Sequence, residues 1–312
     1  MTASAPDEQA ASTPADPKIL VTGGTGLAGS AVVREFIRSG RPVRVLVRDL
    51  DRAAALRAYP TVELVQGDML KPETLRAALT GVDQALLLSA PDARLVEAQT
   101  GFVDAAKDAG VGHVVKFSGL SAADVGTPFV FGAMHAQVET YLQDSGLAWT
   151  HLRPSQFMTE YLREVPTILA NGALFLPFQD ARLTPVDVVD VARSVFLLLT
   201  TPGHEGRTYA ISGPQALSMN EVAQRIGTAI GRTVRYVDVP RADRNAALLA
   251  AGVPGVLVDA LDAQTGERLV GRESEVHLET HQELGLEPTS FADFATRNAG
   301  AFLGETTYVG LR

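Results

Sequence analysis

Cysteine is absent from this chain of 312 residues. That excludes disulfides, thiolate nucleophiles and cysteine-ligated zinc, and it is compatible with a reducing, cytoplasmic setting. Runs of basic residues are absent too. Lys and Arg number 27 against 36 Asp and Glu, and the formal charge is -9. Such a mixed, acidic surface argues against a nucleic-acid partner or an anionic membrane. No apolar stretch approaches the roughly 18 residues that a membrane-crossing helix needs. Residues 1–16 are rich in Ala, Ser, Pro and Asp, and lack the basic start and apolar run of a secretory signal. They predict a disordered tail. No internal repeat is visible.

What is present is apolar content of 46%, enough for a sizeable core. The first two-thirds alternate short apolar runs with longer helical patterns, less regularly after Arg153. Strands are expected at 18–22, 42–47, 62–65, 85–88, 113–117 and 149–152, with helices at about 27–39, 93–109 and 131–144 between them. Asp51 is expected to cap a short Ala-rich helix, and Pro72 to sit in the first turn of another. This alternation predicts an α/β fold with a doubly wound parallel sheet of the Rossmann type, its ligand lying outside the carboxyl ends of the strands. The expected division is a Rossmann domain over 17–156 and a smaller α/β lobe over 157–312. A helix from about Asp187 should return to the sheet. Ser218 and Glu221 have the spacing of a capping box.

The strongest local signal is Val21-Thr-Gly-Gly-Thr-Gly-Leu-Ala-Gly29. It follows an apolar strand and opens a helix. Glycines there let the chain turn tightly and let its backbone approach a pyrophosphate, while the helix supplies free N–H groups and a positive dipole end. Gly23, Thr25, Gly26, Leu27 and Ala28 are therefore cofactor candidates. The second strand ends in Val47-Arg48-Asp49. Arg48 suits the 2′-phosphate of NADP(H); an inward Asp49 would suit the 2′-hydroxyl of NAD(H), which is the less favoured cofactor. Asp68 has two readings, an ordinary turn residue or an acceptor for the adenine amino group with Met69 beside the ring.

Together these residues resemble the NmrA-like family of atypical short-chain dehydrogenase/reductases. The resemblance is carried by the glycine motif and by Val47-Arg48, Gly67-Asp68, Phe117-Ser118-Gly119, Ser145–Pro154, Gln156-Phe157-Met158, Val186–Ala192 and Ile211-Ser-Gly-Pro214. It implies NADP(H) binding, with Ser89, Ala90, Ser118 and the run Pro154, Ser155, Gln156 and Phe157 around the nicotinamide. It also implies one of two roles, a reductase of quinones, dyes, enones or carbonyls, or a redox sensor that binds NADP(H) without turnover and acts through a protein partner. A transient-NADP isomerase or dehydratase is a third reading.

The sequence departs from the wider short-chain pattern at one place. Segment alignment sets Phe131-Gly-Ala-Met-His135 where a Tyr-x-x-x-Lys pair would stand. Phenylalanine cannot donate a proton. His135 can, with Ser118 orienting the acceptor, or His135 is a structural residue near the cleft. A missing tyrosine favours acceptors whose reduced product is stabilised by conjugation. Phe157 and Met158 are expected to line the substrate pocket. Tyr141 and Tyr161 are read as packing residues, Asp187 and Asp190 as helix-starting carboxylates, and His277 with His281 as a solvated helix face, not a metal site. The expected partner is a small-molecule acceptor, and the expected state a monomer or homodimer.

Overall fold

The computed structural model describes residues 17–123 and 126–306. The tail expected over 1–16 lies outside them. Six strands lie in the first half, β1 (Ile19–Val21), β2 (Val43–Val47), β3 (Val62–Gln66), β4 (Gln84–Leu87), β5 (His113–Phe117) and β6 (Ala148–Pro154). Five more follow, β7 (Ala173–Leu176), β8 (Arg182–Leu183), β9 (Arg207–Ile211), β10 (Leu217–Ser218) and β11 (Arg235–Asp238). Seven of them form one sheet in the order β3-β2-β1-β4-β5-β6-β9. Every neighbouring pair is parallel. The chain runs outward from β1 through β2 to β3, then crosses back to β4 on the other side of β1. This reversal opens a crevice between the ends of β1 and β4.

Both faces of the sheet are covered because its strands are apolar on both faces. Helix α1 (Leu27–Ser39) turns Val32, Val33 and Phe36 onto Val21 and Val45. Helix α6 (Val188–Thr200) packs beside it through Val191, Val195 and Leu198. On the other face, α2 (Leu75–Leu79), α3 (Leu95–Asp108) and α4 (Val130–Asp144) bury Leu79, Phe102, Val138 and Leu142 against Leu20, Leu87 and Val114. Val21 and Leu20 thus serve opposite cores, as the twofold period of a strand requires.

The smaller lobe holds α5 (Val165–Asn171), α7 (Met219–Ile230) and two short strand pairs, β7 with β11 and β8 with β10. Its own core joins Leu174, Leu183, Val222, Ile226, Phe291 and Phe294. The Ser218–Glu221 capping box forms as expected at the start of α7. Asp187 accepts from the Val189 N–H at 3.0 Å and caps α6.

Two expectations need correction. The residues after Asp51 form a short 3-10 turn, Ala54–Ala58, whose first N–H goes to the Asp51 backbone carbonyl at 3.1 Å and takes no cap from its side chain. The carboxylate of Asp49 holds the turn that leads into it, accepting from the N–H groups of Asp51 at 2.9 Å and Arg52 at 3.2 Å. Within the stretch expected to form the lobe, β9 is the seventh strand of the main sheet, paired with β6 from Thr150–Arg207 to Pro154–Ile211. The chain from 157 onward therefore supplies both α6 and β9 to the larger unit.

Candidate active site

A cavity of about 540 Å³ opens at the crevice between β1 and β4. One wall is the turn after β1. Gly23 has φ +64°, and a Cβ there would stand 2.9 Å from the Leu88 carbonyl oxygen. A Cβ on Gly29 would stand 2.2 Å from the Gly23 carbonyl oxygen. These positions admit only glycine, because the turn lies against its own backbone and against the end of β4. Gly26 precedes α1, and no side chain caps the helix. The first N–H groups of α1 therefore remain available to an anion at the cavity wall formed by Gly26, Leu27 and Ala28. Thr22 ties the crevice together. Its hydroxyl accepts from the Leu88 N–H at 2.8 Å and donates to the Leu88 carbonyl at 2.7 Å.

The far end of the cavity carries Arg48, Asp68 and Met69. Asp49 is spent on its turn and pairs with Arg52 at 3.6 Å. It does not line the cavity. Arg48 is left as the charged group at the end of β2. Asp68 is a turn residue that also lines the cavity. Its Oδ1 accepts from the Leu70 N–H at 3.0 Å.

The other end is lined by Ser89, Ala90, Phe117, Ser118, His135 and Phe157. Phe117 and Phe157 meet edge to face at 6.3 Å between ring centres. Ser118 is buried at the cavity wall, and its hydroxyl acts on the Glu139 carboxylate. Helix α4 presents Phe131, His135 and Glu139 at four-residue spacing, one above another.

Beneath His135 stands a residue that sequence reasoning missed. Lys116 of β5 is fully buried, and its Nζ lies 2.9 Å from His135 Nδ1 and donates to the Phe117 carbonyl. Burial lowers this lysine to about 7, against a smaller upward pull from Glu139. Burial, then the neighbouring Lys116, push His135 well below its ordinary value. Burial pushes the Glu139 carboxyl up, but its hydrogen bonds from Arg153, a hydrogen bond from Ser118 and the nearby charges of His151 and Arg153 together hold it below its ordinary value. His151 lies 3.6 Å from Glu139 and is lowered to about 4, chiefly by burial. A lone lysine inside the apolar run His113–Phe117 was the available signal, since a charge in a doubly covered strand needs a reason.

Three expected site residues lie elsewhere. Pro154 ends β6 opposite Ile211 of β9. Ser155 is buried behind the wall, its hydroxyl 3.3 Å from that of Thr184. Met158 belongs to the lobe core, not the pocket. Residues 158–164 form a 3-10 helix, which turns Met158 away from the cavity as Phe157 faces it.

The tyrosines are packing or surface residues. Tyr161 is buried in the lobe beside Phe291, and Tyr141 donates to Asp104 at 2.7 Å on the surface. Asp190 accepts from the Thr289 N–H at 2.7 Å and from its hydroxyl at 2.9 Å, so it ties the later chain to α6. The solvated histidine face does not exist. His277 lies outside any helix, and His281 is buried, 3.9 Å from Asp190. No group of three potential metal ligands occurs among the described residues. No helix there is long and apolar enough to cross a membrane.

The chain is 36% identical over 288 residues to an NAD(P)H azoreductase of Xenophilus azovorans, covering 91% of this chain and 99% of that one. It is 34% identical over 292 residues to a (4-alkanoyl-5-oxo-2,5-dihydrofuran-3-yl)methyl phosphate reductase of Streptomyces griseus, covering 92% and 100%. Its fold matches the solved NADPH-dependent quinone oxidoreductase of Escherichia coli in complex with NADPH, with a TM-score of 0.82 and 27% identity over 89% of this chain and 99% of the other. The model of the NmrA-like family matches residues 15–284. With its parallel sheet, its glycine turn and this match over most of its length, the chain belongs to the NmrA-like family.

Proposed function

We propose that this protein is an NAD(P)H-dependent reductase of small conjugated acceptors, with NADP(H) preferred over NAD(H). The observation that carries the reading is a single cavity that joins the glycine turn and Arg48 at one end to Ser118, His135 and Phe157 at the other. A dinucleotide fits such a cavity. Leu27 and Ala28 hold its pyrophosphate through the first N–H groups of α1, on the turn formed by Gly23, Thr25 and Gly26. The Gly26 N–H closes that turn onto the Gly23 carbonyl at 3.0 Å. Arg48 offers a planar pair of donors to the 2′-phosphate. Asp68 and Met69 flank the adenine, and Ser89 and Ala90 the nicotinamide half. Pro154 and Ser155 support that end from behind the wall. The bound cofactor supplies hydride.

The acceptor then lies between Phe157 and His135. Ser118 donates to the acceptor oxygen or nitrogen, and His135 is the proton donor. No tyrosine lines this end of the cavity. An alkoxide from a simple ketone would need a strong donor at once. A quinone, azo compound or enone leaves a delocalised anion that tolerates the weaker donor. The azo compound, acyl dihydrofuranone and quinone in the relatives' names share that property. The lobe from 157 closes the acceptor side, and the protein acts in the cytoplasm as a monomer or homodimer.

The test is a fluorescence titration with NADPH and NADH, followed by oxidation with quinone, azo dye, enone and ketone acceptors. The expected result is tighter NADPH binding and turnover on the conjugated acceptors, lost in His135→Ala. Reduction of simple ketones alone would refute the acceptor class. Tight NADPH binding without turnover on any acceptor would replace the reductase by a sensor acting through a protein partner.

A further inference from the structure

Lys116 and His135 come from different elements, a strand and the helix that covers it, and meet beneath the acceptor end of the cavity. Lys116 stands opposite His151 in the register of β5 and β6, so the two share one side of the sheet. Glu139, the carboxylate near this group, is held by Arg153. Leu87 faces Lys116 from β4 and brings no charge. Among the described residues the lysine thus makes no salt bridge of its own, and Glu139 acts on it only as a neighbouring charge. Its hydrogen bonds go to the Phe117 carbonyl and to the histidine ring. A buried amine without a carboxylate partner is costly, and leucine or methionine would fill the space without that cost. Its effect falls on His135. An ammonium at Nδ1 can only donate, which forces the ring proton onto Nε2. Nε2 has no partner among the described residues, and His135 lines the cavity.

We propose that Lys116 is the positioning residue of the reduction: it fixes His135 with its proton on Nε2, aimed at the acceptor, and replaces that proton through Nδ1. This rests on the reductase reading above. The protons balance. The acceptor takes hydride and becomes an anion. The Nε2–H bond breaks as its proton moves to that anion, and a Lys116 N–H bond breaks as its proton moves to Nδ1. The imidazole stays neutral in its other tautomer, and Lys116 becomes a neutral amine that water recharges. A lysine at its ordinary 10.5 would hold its proton too firmly; one brought to about 7 can hold it and release it near neutral pH. The arrangement replaces the missing Tyr-x-x-x-Lys pair with a lysine from the strand and a histidine from the helix.

The first readout needs neither cofactor nor turnover. Nitrogen-15 proton correlation spectra report the tautomer of each of the six histidines, and His135→Ala assigns the resonance. His135 is expected neutral with its proton on Nε2 at pH 6–6.5, with the Nδ1 tautomer gaining population above about pH 7 as Lys116 loses its charge. Lys116→Met should remove this pH dependence and leave a mixed tautomer. The second readout is kinetic. Acceptor reduction should fall above about pH 7 in the wild type. In Lys116→Met it should be lower by roughly 10- to 100-fold and independent of pH, with the NADPH Kd changed less than twofold. In Lys116→Arg, which donates to Nδ1 but does not release its proton, the tautomer should persist while the pH limb disappears.

His135 found with its proton on Nδ1 at pH 6, or a pH limb retained in Lys116→Met, overturns the proposal. A wild type with the expected tautomer that reduces no acceptor supports the Lys116–His135 pairing and overturns the reductase reading instead. Melting temperatures of each variant separate a fold defect from either result.

Discussion

Arg48 and Asp49 are neighbours with different tasks, and only the fold separates them. The carboxylate of Asp49 is engaged by two backbone N–H groups, which leaves Arg48 to face the cofactor end of the cavity. Arg48→Ala should weaken NADPH binding by about 10- to 100-fold, the scale of lost charge-assisted hydrogen bonds. NADH binding should change less than twofold, and one titration series checks both. Gly29→Ala sets a Cβ 2.2 Å from a carbonyl oxygen. It should cost about 1–3 kcal/mol by denaturant unfolding and weaken NADPH binding as well. The histidines set a pH dependence of stability. His135 and His151 are both lowered from 6.5 in the folded chain, His151 to about 4. Between these values the unfolded chain binds more protons than the folded one, so stability should fall as pH drops from 6.5 towards 4. His151→Phe should flatten part of that slope, read by melting temperature against pH.

Capping and turn signals behave locally at the scale of the element. The Ser218–Glu221 box forms because its donors and acceptors lie within one turn of α7. Ser218→Ala should lower stability by about 1 kcal/mol and leave the NADPH Kd unchanged, which denaturant midpoints and a titration would establish. Helix α4 is the element on which the site depends. Its spacing of Phe131, His135 and Glu139 was legible as one face. That the face meets Lys116, His151 and Arg153 was not, because those residues come from β5 and β6, and strand neighbours are set by the order of the sheet. Asp51 shows the opposite failure. Its type and position suited a cap, but the first N–H of the 3-10 turn goes to its backbone carbonyl, and the carboxylate of Asp49 holds the turn that leads into it.

The molecule as a whole is more interwoven than its sequence order suggests. Chain from beyond residue 157 returns twice to the main sheet, as α6 beside α1 and as β9 beside β6. Without them, Val32, Val33 and Leu152 would lose part of their cover, and β6 would become an exposed edge. A chain ending at residue 156 should therefore show no cooperative melting transition and no NADPH binding, although it contains the whole glycine motif. Cooperative unfolding of that fragment with intact binding would show that the first half stands alone. Asp187 and Asp190 serve the same closure, since they join α6 to Arg297 and Thr289 near the far end of the chain.

Sequence alone determined the features whose partners lie close along the chain or repeat with a fixed period. These are the glycine turn and its helix, the apolar strands, the caps at Asp187 and Ser218, and Arg48 at the end of β2; the places of Ser118 and His135 were implied by the resemblance to the family. The tertiary structure decided the rest. It took Met158 into the lobe core and left Phe157 at the pocket, because a 3-10 turn begins between them. It added β9 to the sheet, because β6 was left with an unpaired edge. It brought Lys116 to His135 across 19 positions of sequence. Pairings of that kind follow from strand order and helix docking, and no local pattern encodes them.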